Sequence, residues 1–402
     1  MINDYRTIVF SSLQKLFPVT LLYAWLQIIQ LLFIQPNSFF NETLPIYHAN
    51  FSWLGMLFEP LSLFLRVLSY IIIVFFIVSV INQFLNRKNL HSTYALVFIG
   101  IGCWVLYNYF DLTSSTSSIT SPFSMFQYVL FAYLLYLVIK FSVRMTHDIK
   151  WIIASITIFL TVWLTNFLIT SSTWNFFDFF NNIFSKWIGN GATNFLSVGM
   201  LSILGIFTMI FGLYVPNALS HPTFSLPVAT DNYTAALNTS STSIPHLLTL
   251  YTLQNPFALF GGIGLLLPLA VAIYIEAKKG RNKQKEHLAL LTIVPLLFDQ
   301  NLPLLFGLPV LFQPILLIPM IISTLFAESL GALCLYFKFL SPAVYKTPTG
   351  TPNLLFGFLA SDGNWRYFII IFIILLVSVA VYRPFVKKGL EKETEAIYET
   401  HH

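Results

Sequence analysis

Apolar runs of about 20 residues, separated by short polar or basic stretches, recur along the whole chain. A helix needs about 20 apolar residues to cross the hydrocarbon of a bilayer, so each run predicts a membrane span. The predicted spans are Phe17–Ile34, Leu57–Phe84, Tyr94–Phe110, Phe123–Val143, Trp151–Ile169, Phe195–Val215, Phe257–Ile275, Pro314–Phe337 and Tyr367–Tyr382. The pattern predicts an all-α polytopic membrane protein with about nine to ten transmembrane helices.

The regular pattern is interrupted between Asp299 and Pro319, where prolines recur every five or six residues. Each proline removes a backbone donor, so no regular helix runs unbroken through this stretch. Broken backbone at membrane depth is tolerated only where it is buried in protein or lines a cavity, and transporters place substrate at such breaks. We therefore expect a re-entrant hairpin beside a solute site, near 288–308.

The segment Trp174–Trp187 mixes aromatic and polar residues, which favours an interfacial amphipathic helix over a span. With this assignment, the predicted spans Phe195–Val215 and Phe257–Ile275 cross the membrane in the same direction. One further crossing is therefore needed somewhere in this part of the chain. Either the polar loop Pro216–Pro256 crosses back through a protein-lined vestibule, or Trp174–Trp187 penetrates more deeply. The sequence leaves both alternatives open.

Composition supports the membrane assignment, since the chain is 56% hydrophobic and only 9% charged. Soluble domains carry roughly 25% charged residues. The net charge of +5 does not indicate nucleic-acid binding, because the basic residues lie in short loops at span ends. Such loops face the cytoplasm, so we expect the C-terminal tail, 391–402, on the cytoplasmic side of the membrane. The basic sites are Arg87, Lys88, Arg144, Lys150, Lys278, Lys279, Arg281, Lys283, Lys285, Arg383, Lys387 and Lys388.

Both cysteines, Cys103 and Cys334, lie inside apolar runs, which indicates buried, inert residues. The chain has no disulfide framework and no zinc-ligand spacing. Nothing in it resembles a catalytic triad or a pair of catalytic carboxylates. We therefore expect no metal, no cofactor and no covalent catalysis by this chain itself.

The two halves of the chain differ in how often prolines and glycines interrupt the apolar runs. Residues 1–190 contain plain apolar runs with few prolines or glycines, whereas 191–390 contain broken runs and the sequence Gly261-Gly262-Ile263-Gly264. This contrast predicts a scaffold half followed by a half that handles a solute.

Two sequence blocks carry a family resemblance. The stretch Asn301–Pro319, NLPLLFGLPVLFQPILLIP, resembles the signature NEP-[VI]-[IV]-FGLP-[IV]-x-NP-x-x-x-IP of the membrane component (EIIC) of the bacterial phosphotransferase system, in its lactose/cellobiose family. The stretch Thr351–Arg366, TPNLLFGFLASDGNWR, resembles that family's TPP-x-x-x-GFLATGGDWR. The resemblance is good from about Thr249 to Lys388 and faint or absent before that.

The resemblance implies a fold of the EIIC (glucose-superfamily) type, with a second re-entrant hairpin near 351–364. It also implies a sugar permease of the bacterial cell membrane. Its first half would form a homodimer in the lipid bilayer, and its second half would bind a disaccharide. A separate EIIB subunit would phosphorylate the sugar, docking on the basic cytoplasmic face. This chain would hold the sugar's 6-hydroxyl towards the phosphocysteine of that subunit, which is a positioning role.

The chain departs from the family at three sugar-contacting positions. Tyr214 stands where the family has histidine, Leu302 where it has glutamate, and Thr349 where it has tryptophan. A leucine cannot hold a hydroxyl group, and a site built for that hydroxyl would lose discrimination. The alternative is therefore a degenerate paralogue that acts as a non-phosphorylating transporter, sensor or receptor.

The candidate substrate-binding residues combine the hairpin tip with neighbouring motif positions. Polar groups this deep in a membrane protein are costly without partners, so they are functional candidates, although a loop at the membrane surface explains the same pattern. The glycines would let backbone approach a substrate, or would allow close helix packing. The candidates are Asp299, Gln300, Asn301, Tyr214, Gly261, Gly262, Asn255 and Thr351.

Two further groups of charged residues are ambiguous. Glu328 lies within an apolar run and should face the protein interior, where it would couple protons, bind solute or serve as a hydrogen-bonded structural residue. Asp362, Asn364, Trp365 and Arg366 match the second family block and would either contact substrate or fix a turn.

Overall fold

The structure is a computed structural model that describes residues 2–44, 52–86, 125–142, 186, 188–189, 191–213, 215, 217–220, 226–238, 244–308 and 310–400. The predicted spans Tyr94–Phe110 and Trp151–Ile169 lie outside the described residues, and so does Trp174–Trp187 apart from Lys186.

Every regular element in the described part of the chain is helical, which confirms the predicted class. The α-helices are α1 Ile2–Lys15, α2 Phe17–Ile29, α3 Phe39–Thr43, α4 Phe58–Asn86, α5 Met125–Ser142, α6 Phe195–Ile210, α7 Asn217–Ser220, α8 Pro227–Asn238, α9 Asn255–Ala258, α10 Leu266–Lys279, α11 Lys283–Leu297, α12 Leu302–Gly307, α13 Leu317–Tyr336, α14 Asn353–Ala360 and α15 Arg366–Thr400. Short π-helical segments, Gln30–Ile34 and Leu250–Gln254, and 3₁₀ segments, Ser52–Leu57 and Pro314–Leu316, adjoin them.

Among the described residues, four helical stretches are long and apolar enough to cross a membrane: Phe17–Ile34, Trp53–Asn86, Pro314–Tyr336 and Arg366–Gly389. They confirm four of the predicted spans, three of them to within about four residues at each end, whereas the last extends to Gly389 beyond the predicted end at Tyr382. A fifth apolar helix, Phe195–Ile210, is shorter. Exposed apolar side chains recur at helical spacing on α4 and α15, and such faces are typical of helices that contact lipid.

The predicted continuous span Phe257–Ile275 is wrong, because a turn separates α9 from α10. Gly261, Gly262 and Gly264 have φ angles of 78°, 103° and 78°, and Leu265 is left-handed with φ 54°. Glycine adopts such angles without a steric penalty, which is why the helix can stop and restart within a uniformly apolar run. We call residues 259–265 the glycine turn.

The predicted interruption between Asp299 and Pro319 is confirmed. Helix α12 is only six residues long, and α13 begins after the 3₁₀ turn Pro314–Leu316. Pro303 occupies the first turn of α12, where a missing backbone donor costs nothing.

Most of the buried apolar side chains in the described residues belong to a hydrophobic cluster that includes residues from both halves of the chain. Helix α10 packs against α11 and α15, and α13 packs against α6 and α15. Helices α1 and α2 pack against α12, so the N-terminal helices contact the predicted solute-handling half. The division of the chain near residue 190 into two functional halves stays a prediction.

Candidate functional site

The turn between α11 and α12 carries the three adjacent polar candidates. The backbone amides of Phe298 and Gln300 both donate to the Pro295 carbonyl, at 3.0 Å each. Asp299 is left-handed, with φ 59°, a conformation that aspartate tolerates better than most residues. These bonds end α11 and reverse the chain, so Asp299, Gln300 and Asn301 form the tip of a helix–turn–helix.

Asn353, the first residue of α14, joins this turn to the second motif block. Its side-chain amide nitrogen donates to Asp299 Oδ1 at 2.9 Å and to the Leu296 carbonyl at 3.1 Å. The Asn353 residue is only 7% exposed. The sequence analysis did not predict a role for Asn353. The signal that could have identified it is that asparagine stands here where the family motif has its second proline.

The glycine turn closes against the same tip. A Cβ atom at Gly262 would lie 2.9 Å from Asn301 Nδ2, and one at Gly261 would lie 2.7 Å from the Leu267 backbone nitrogen. The glycines therefore serve a sharp turn that brings backbone up to Asn301. Four predicted site residues, Gly262, Asn301, Gln300 and Asp299, thus lie close together.

The other predicted site residues are less closely tied to the tip. Gln300 Nε2 donates to the Phe298 carbonyl at 3.3 Å, within its own turn. Thr351 Oγ1 donates to the Pro348 carbonyl at 2.7 Å, in the loop that leads into α14. Asn255 begins α9 and is half-buried. Tyr214 lies outside the described residues.

The other two departures from the family motif have structural roles. Leu302 is 7% exposed and begins α12, so it belongs to the core. Thr349 donates from its backbone nitrogen to the Asn37 carbonyl at 3.2 Å, and its hydroxyl donates to the same oxygen. These bonds tie the loop before α14 to the residues just before α3.

Burial raises the pKa of the Asp299 carboxyl to about 7, and the hydrogen bond from Asn353 acts against this rise. Asp299 lies in a turn, outside the four helices that are long enough to span a membrane. Among the described residues, no cluster of three or more potential metal ligands exists.

Glu328 of α13 faces α6 rather than solvent. The Ser202 hydroxyl donates to Glu328 Oε1, and Oε2 has no hydrogen-bond partner among the described residues. A Cβ atom at Gly199 would lie 3.7 Å from Oε2. The carboxyl is thus enclosed at a helix–helix contact.

The residues after α14 form a turn, as one of the two alternatives for them predicts. Asn364 Oδ1 accepts from the Arg366 backbone nitrogen at 3.2 Å, and Asn364 Nδ2 donates to Ser341 Oγ at 3.3 Å. Arg366 Nη1 donates to the Phe339 carbonyl at 3.1 Å. Asp362 is exposed and left-handed, with φ 59°.

No family model matches the chain. A cellobiose-specific EIIC component from Lactococcus lactis is 30% identical over 132 residues, which are 33% of this chain and 26% of that protein. A lichenan permease IIC component from Bacillus subtilis is 33% identical over 140 residues, 34% of this chain and 30% of that protein. A galactose-specific EIIC component from Lactococcus lactis is 30% identical over 207 residues, 48% of this chain and 44% of that protein.

The matched part of the chain thus spans between about a quarter and a half of the length of these relatives. The crystal structure of the transporter ChbC, the IIC component from the N,N'-diacetylchitobiose-specific phosphotransferase system, aligns over 98% of this chain and 95% of that one, with 17% identity and a TM-score of 0.42. The sequence similarities, taken with the two motif blocks, make this chain a divergent relative of the EIIC membrane components of the lactose/cellobiose family.

Proposed function

We propose that the chain is the EIIC permease component of a phosphoenolpyruvate-dependent sugar phosphotransferase system. It carries a disaccharide or related glycoside across the bacterial cell membrane by alternating access. The named specificities of its relatives, for cellobiose, galactose and oligo-beta-mannosides among others, favour this function over a degenerate paralogue. The observation that carries the proposal is the meeting of Asp299, Asn301, Gly262 and Asn353 at a turn that adjoins the apolar helix α12.

The two sides of the protein follow from its basic residues. The α10–α11 turn is rich in lysine and arginine, and the Arg383 Nε atom in the middle of α15 pairs with Glu276 Oε1 of α10 at 2.7 Å. Basic loops face the cytoplasm, so we assign this side and the C-terminus to the cytoplasm. Thr349 donates a hydrogen bond to the Asn37 carbonyl. Asn37 lies in the segment 35–53, which contains no lysine or arginine, and we assign that side to the exterior.

The depth of the site follows from helix length. Helix α11 begins on the basic side and has 15 residues, which corresponds to about 22 Å. The hydrocarbon core is about 30 Å thick, so the turn at Asp299 lies within the membrane. Helices α11 and α12 then form a re-entrant hairpin from the cytoplasm, and α14 enters from the exterior to meet it through the Asn353–Asp299 bond.

In this site, the Asp299 carboxylate and the Asn301 amide hold sugar hydroxyls. Hydrogen bonds to a charged group are worth about 1.5–3 kcal/mol each, about twice a neutral one. Gln300, Thr351, Asn255 and Tyr214 complete the polar lining. Gly261 and Gly262 bring backbone close to the tip, where a side chain would collide.

The phosphorylating partner is a separate EIIB subunit. It docks on the cytoplasmic basic face, where Lys278, Lys279, Arg281 and Lys283 belong to the α10–α11 region and are exposed. Two relatives, from Lacticaseibacillus casei and Staphylococcus aureus, are named lactose-specific EIICB components. Our chain orients the sugar for this partner and performs no covalent step itself. We further propose that residues 1–190 form the interface of a homodimer.

Equilibrium binding of cellobiose, chitobiose and lactose to the purified protein tests the proposal. We expect a Kd at or below roughly millimolar for at least one of them. Asp299→Ala and Asn301→Ala should each weaken binding by about tenfold or more, one lost hydrogen bond being worth at least ~1.4 kcal/mol here. Asn238→Ala, at the exposed end of α8, is the control and should leave the Kd unchanged. The proposal fails if wild type binds none of the three, or if both tip variants bind as wild type does.

A further inference from the structure

The amide group of Asn353 has both of its hydrogens committed. An asparagine amide nitrogen carries two donors, and these meet Asp299 Oδ1 at 2.9 Å and the Leu296 carbonyl at 3.1 Å. Both partners are acceptors, so the nitrogen, and not the carbonyl oxygen, must point at them. Asn353 therefore cannot also donate to a ligand from this nitrogen.

The element that carries Asn353 is firmly held. Phe356 makes an edge-to-face contact with Tyr251, with ring centroids 5.5 Å apart. Gly357 lies against the ring of Tyr367, whose hydroxyl donates to the Ser341 carbonyl at 2.8 Å. Asn353 does not cap its own helix, because Pro352 precedes α14 without a side-chain cap bond. Its polar group is directed instead at the other hairpin.

Asp299 is in a position that disfavours its charge. It follows the C-terminus of α11 by two residues, where the helix dipole is negative, and burial opposes ionisation further. A neutral donor at 2.9 Å stabilises the carboxylate without introducing a second charge. The bond uses one carboxylate oxygen, Oδ1.

We propose that Asn353 is a positioning residue of the sugar site, which holds the Asp299 carboxylate by Oδ1 so that Oδ2 accepts a hydrogen bond from a sugar hydroxyl. This inference rests on the function proposed above. Helix α14 thereby contributes to the sugar specificity of the site, although Asn353 itself donates no hydrogen bond to the sugar.

A pH titration of stability can report the charge of Asp299, because few other titratable groups lie near it. Helix α12, helix α14 and the glycine turn contain no titratable side chain. The helices that pack against this hairpin, and α11 itself, also carry titratable or charged residues, and α11 carries them at its start rather than beside the turn. These residues are Asp4, Tyr5, Arg6 and Lys15 on α1, Tyr23 on α2, Tyr274, Glu276, Lys278 and Lys279 on α10, and Lys283, Lys285, Glu286 and His287 on α11.

The first test measures thermal stability in detergent against pH, without sugar. The pKa of Asp299 is raised in the folded protein, so its neutral form is favoured and stability falls as pH rises from about 4 to about 7. Asn353→Ala removes a donor that favours the charged form. The fall in Tm caused by Asn353→Ala should therefore be roughly twice as large at pH 8.5 as at pH 5, and Asp299→Asn/Asn353→Ala should lose this dependence on pH.

Asn232→Ala is the matched control. Asn232 is also buried, at 1% exposure, and its amide exchanges two hydrogen bonds with the backbone of His246, at 2.6 and 2.9 Å, without any carboxylate. We expect this variant to lower Tm by a similar amount at both pH values. An equal loss at both pH values in Asn353→Ala as well would overturn the proposal, because packing alone would then explain the residue.

The second test measures the Kd for whichever of cellobiose, chitobiose and lactose the wild type binds, at pH 8.5. Asn353→Ala and Asp299→Asn should each raise the Kd by about tenfold, and the double variant should bind no worse than Asp299→Asn alone. Independent, multiplying effects would overturn the positioning role. If wild type binds none of the three sugars, the proposed function fails, and the positioning role in a sugar site fails with it. The stability measurement would in that case still report whether the Asn353–Asp299 bond exists.

Discussion

Gly357→Ala should destabilise the protein strongly, because it pushes α14 away from α15. A Cβ atom at position 357 would lie 2.3 Å from Tyr367 Cδ1. The Tyr367 ring cannot retreat easily. It is fully buried, stacks on Phe257 with centroids 5.4 Å apart, and is anchored by its hydroxyl to Ser341.

The magnitude follows from these contacts. Overpacking costs about 1–3 kcal/mol, a lost tyrosine hydrogen bond about 1 kcal/mol, and a disturbed aromatic pair about 0.5–1.5 kcal/mol. Alanine regains up to about 1 kcal/mol in helix propensity over glycine. We therefore expect a net loss of about 2–4 kcal/mol in the free energy of unfolding.

Denaturant unfolding of the purified protein in detergent measures this loss. Gly389→Ala is the matched control, since a Cβ atom there meets nothing within 4 Å and the residue also lies in a helix, α15. It should be neutral or stabilising by up to about 1 kcal/mol. If Gly357→Ala behaves like Gly389→Ala, the α14–α15 contact is not as tight as the structure indicates and the reasoning is refuted.

Two other substitutions test the interior. Gly262→Ala places a Cβ atom 2.9 Å from Asn301 Nδ2, at a φ of 103°. We expect this variant to lower the free energy of unfolding by about 1–3 kcal/mol and to weaken sugar binding. An unchanged Kd would mean that Asn301 is not a ligand. Ser202→Ala removes the described donor to the buried Glu328 carboxyl and should cost about 1–3 kcal/mol. Glu328→Gln keeps the acceptor without the charge, so denaturant unfolding should show it neutral or stabilising relative to Ser202→Ala; greater destabilisation by Glu328→Gln would show that the charge itself is required.

The membrane spans could be predicted because a helix that crosses the hydrocarbon core must consist almost entirely of apolar residues. Phe17–Ile34 matches the predicted bounds, and Pro314–Tyr336 differs from them by a single residue. The run Phe257–Ile275 follows the same rule, yet it contains a turn. Its glycines signalled the break, but only the backbone angles show that Leu265 joins them in a left-handed conformation. Hydropathy does not distinguish a buried turn from a helix.

The assignment of a site to these residues stays a prediction, but the proximity of some of them in the fold follows from a different physical reason. Asp299, Gln300 and Asn301 stood out because adjacent polar residues in an apolar region need partners. The partner of Asp299 is Asn353, which is 54 residues away in sequence. No local pattern encodes a contact of that range. The role of Thr349 was likewise hidden, because it depends on the backbone of Asn37 at the other end of the chain.

The loss of a glutamate at position 302 and the presence of Asn353 have a common physical explanation. Every residue of α12 is buried, beginning with Leu302, and a carboxylate buried there without a partner would be costly. Asp299 places its carboxylate just outside this helix, in the turn, where the Asn353 amide reaches it. The chain thus keeps one acidic group at the tip of the hairpin but supports it from α14. We therefore predict that a sugar bound at the proposed site presents a hydroxyl to the turn between α11 and α12, rather than to the first residue of α12.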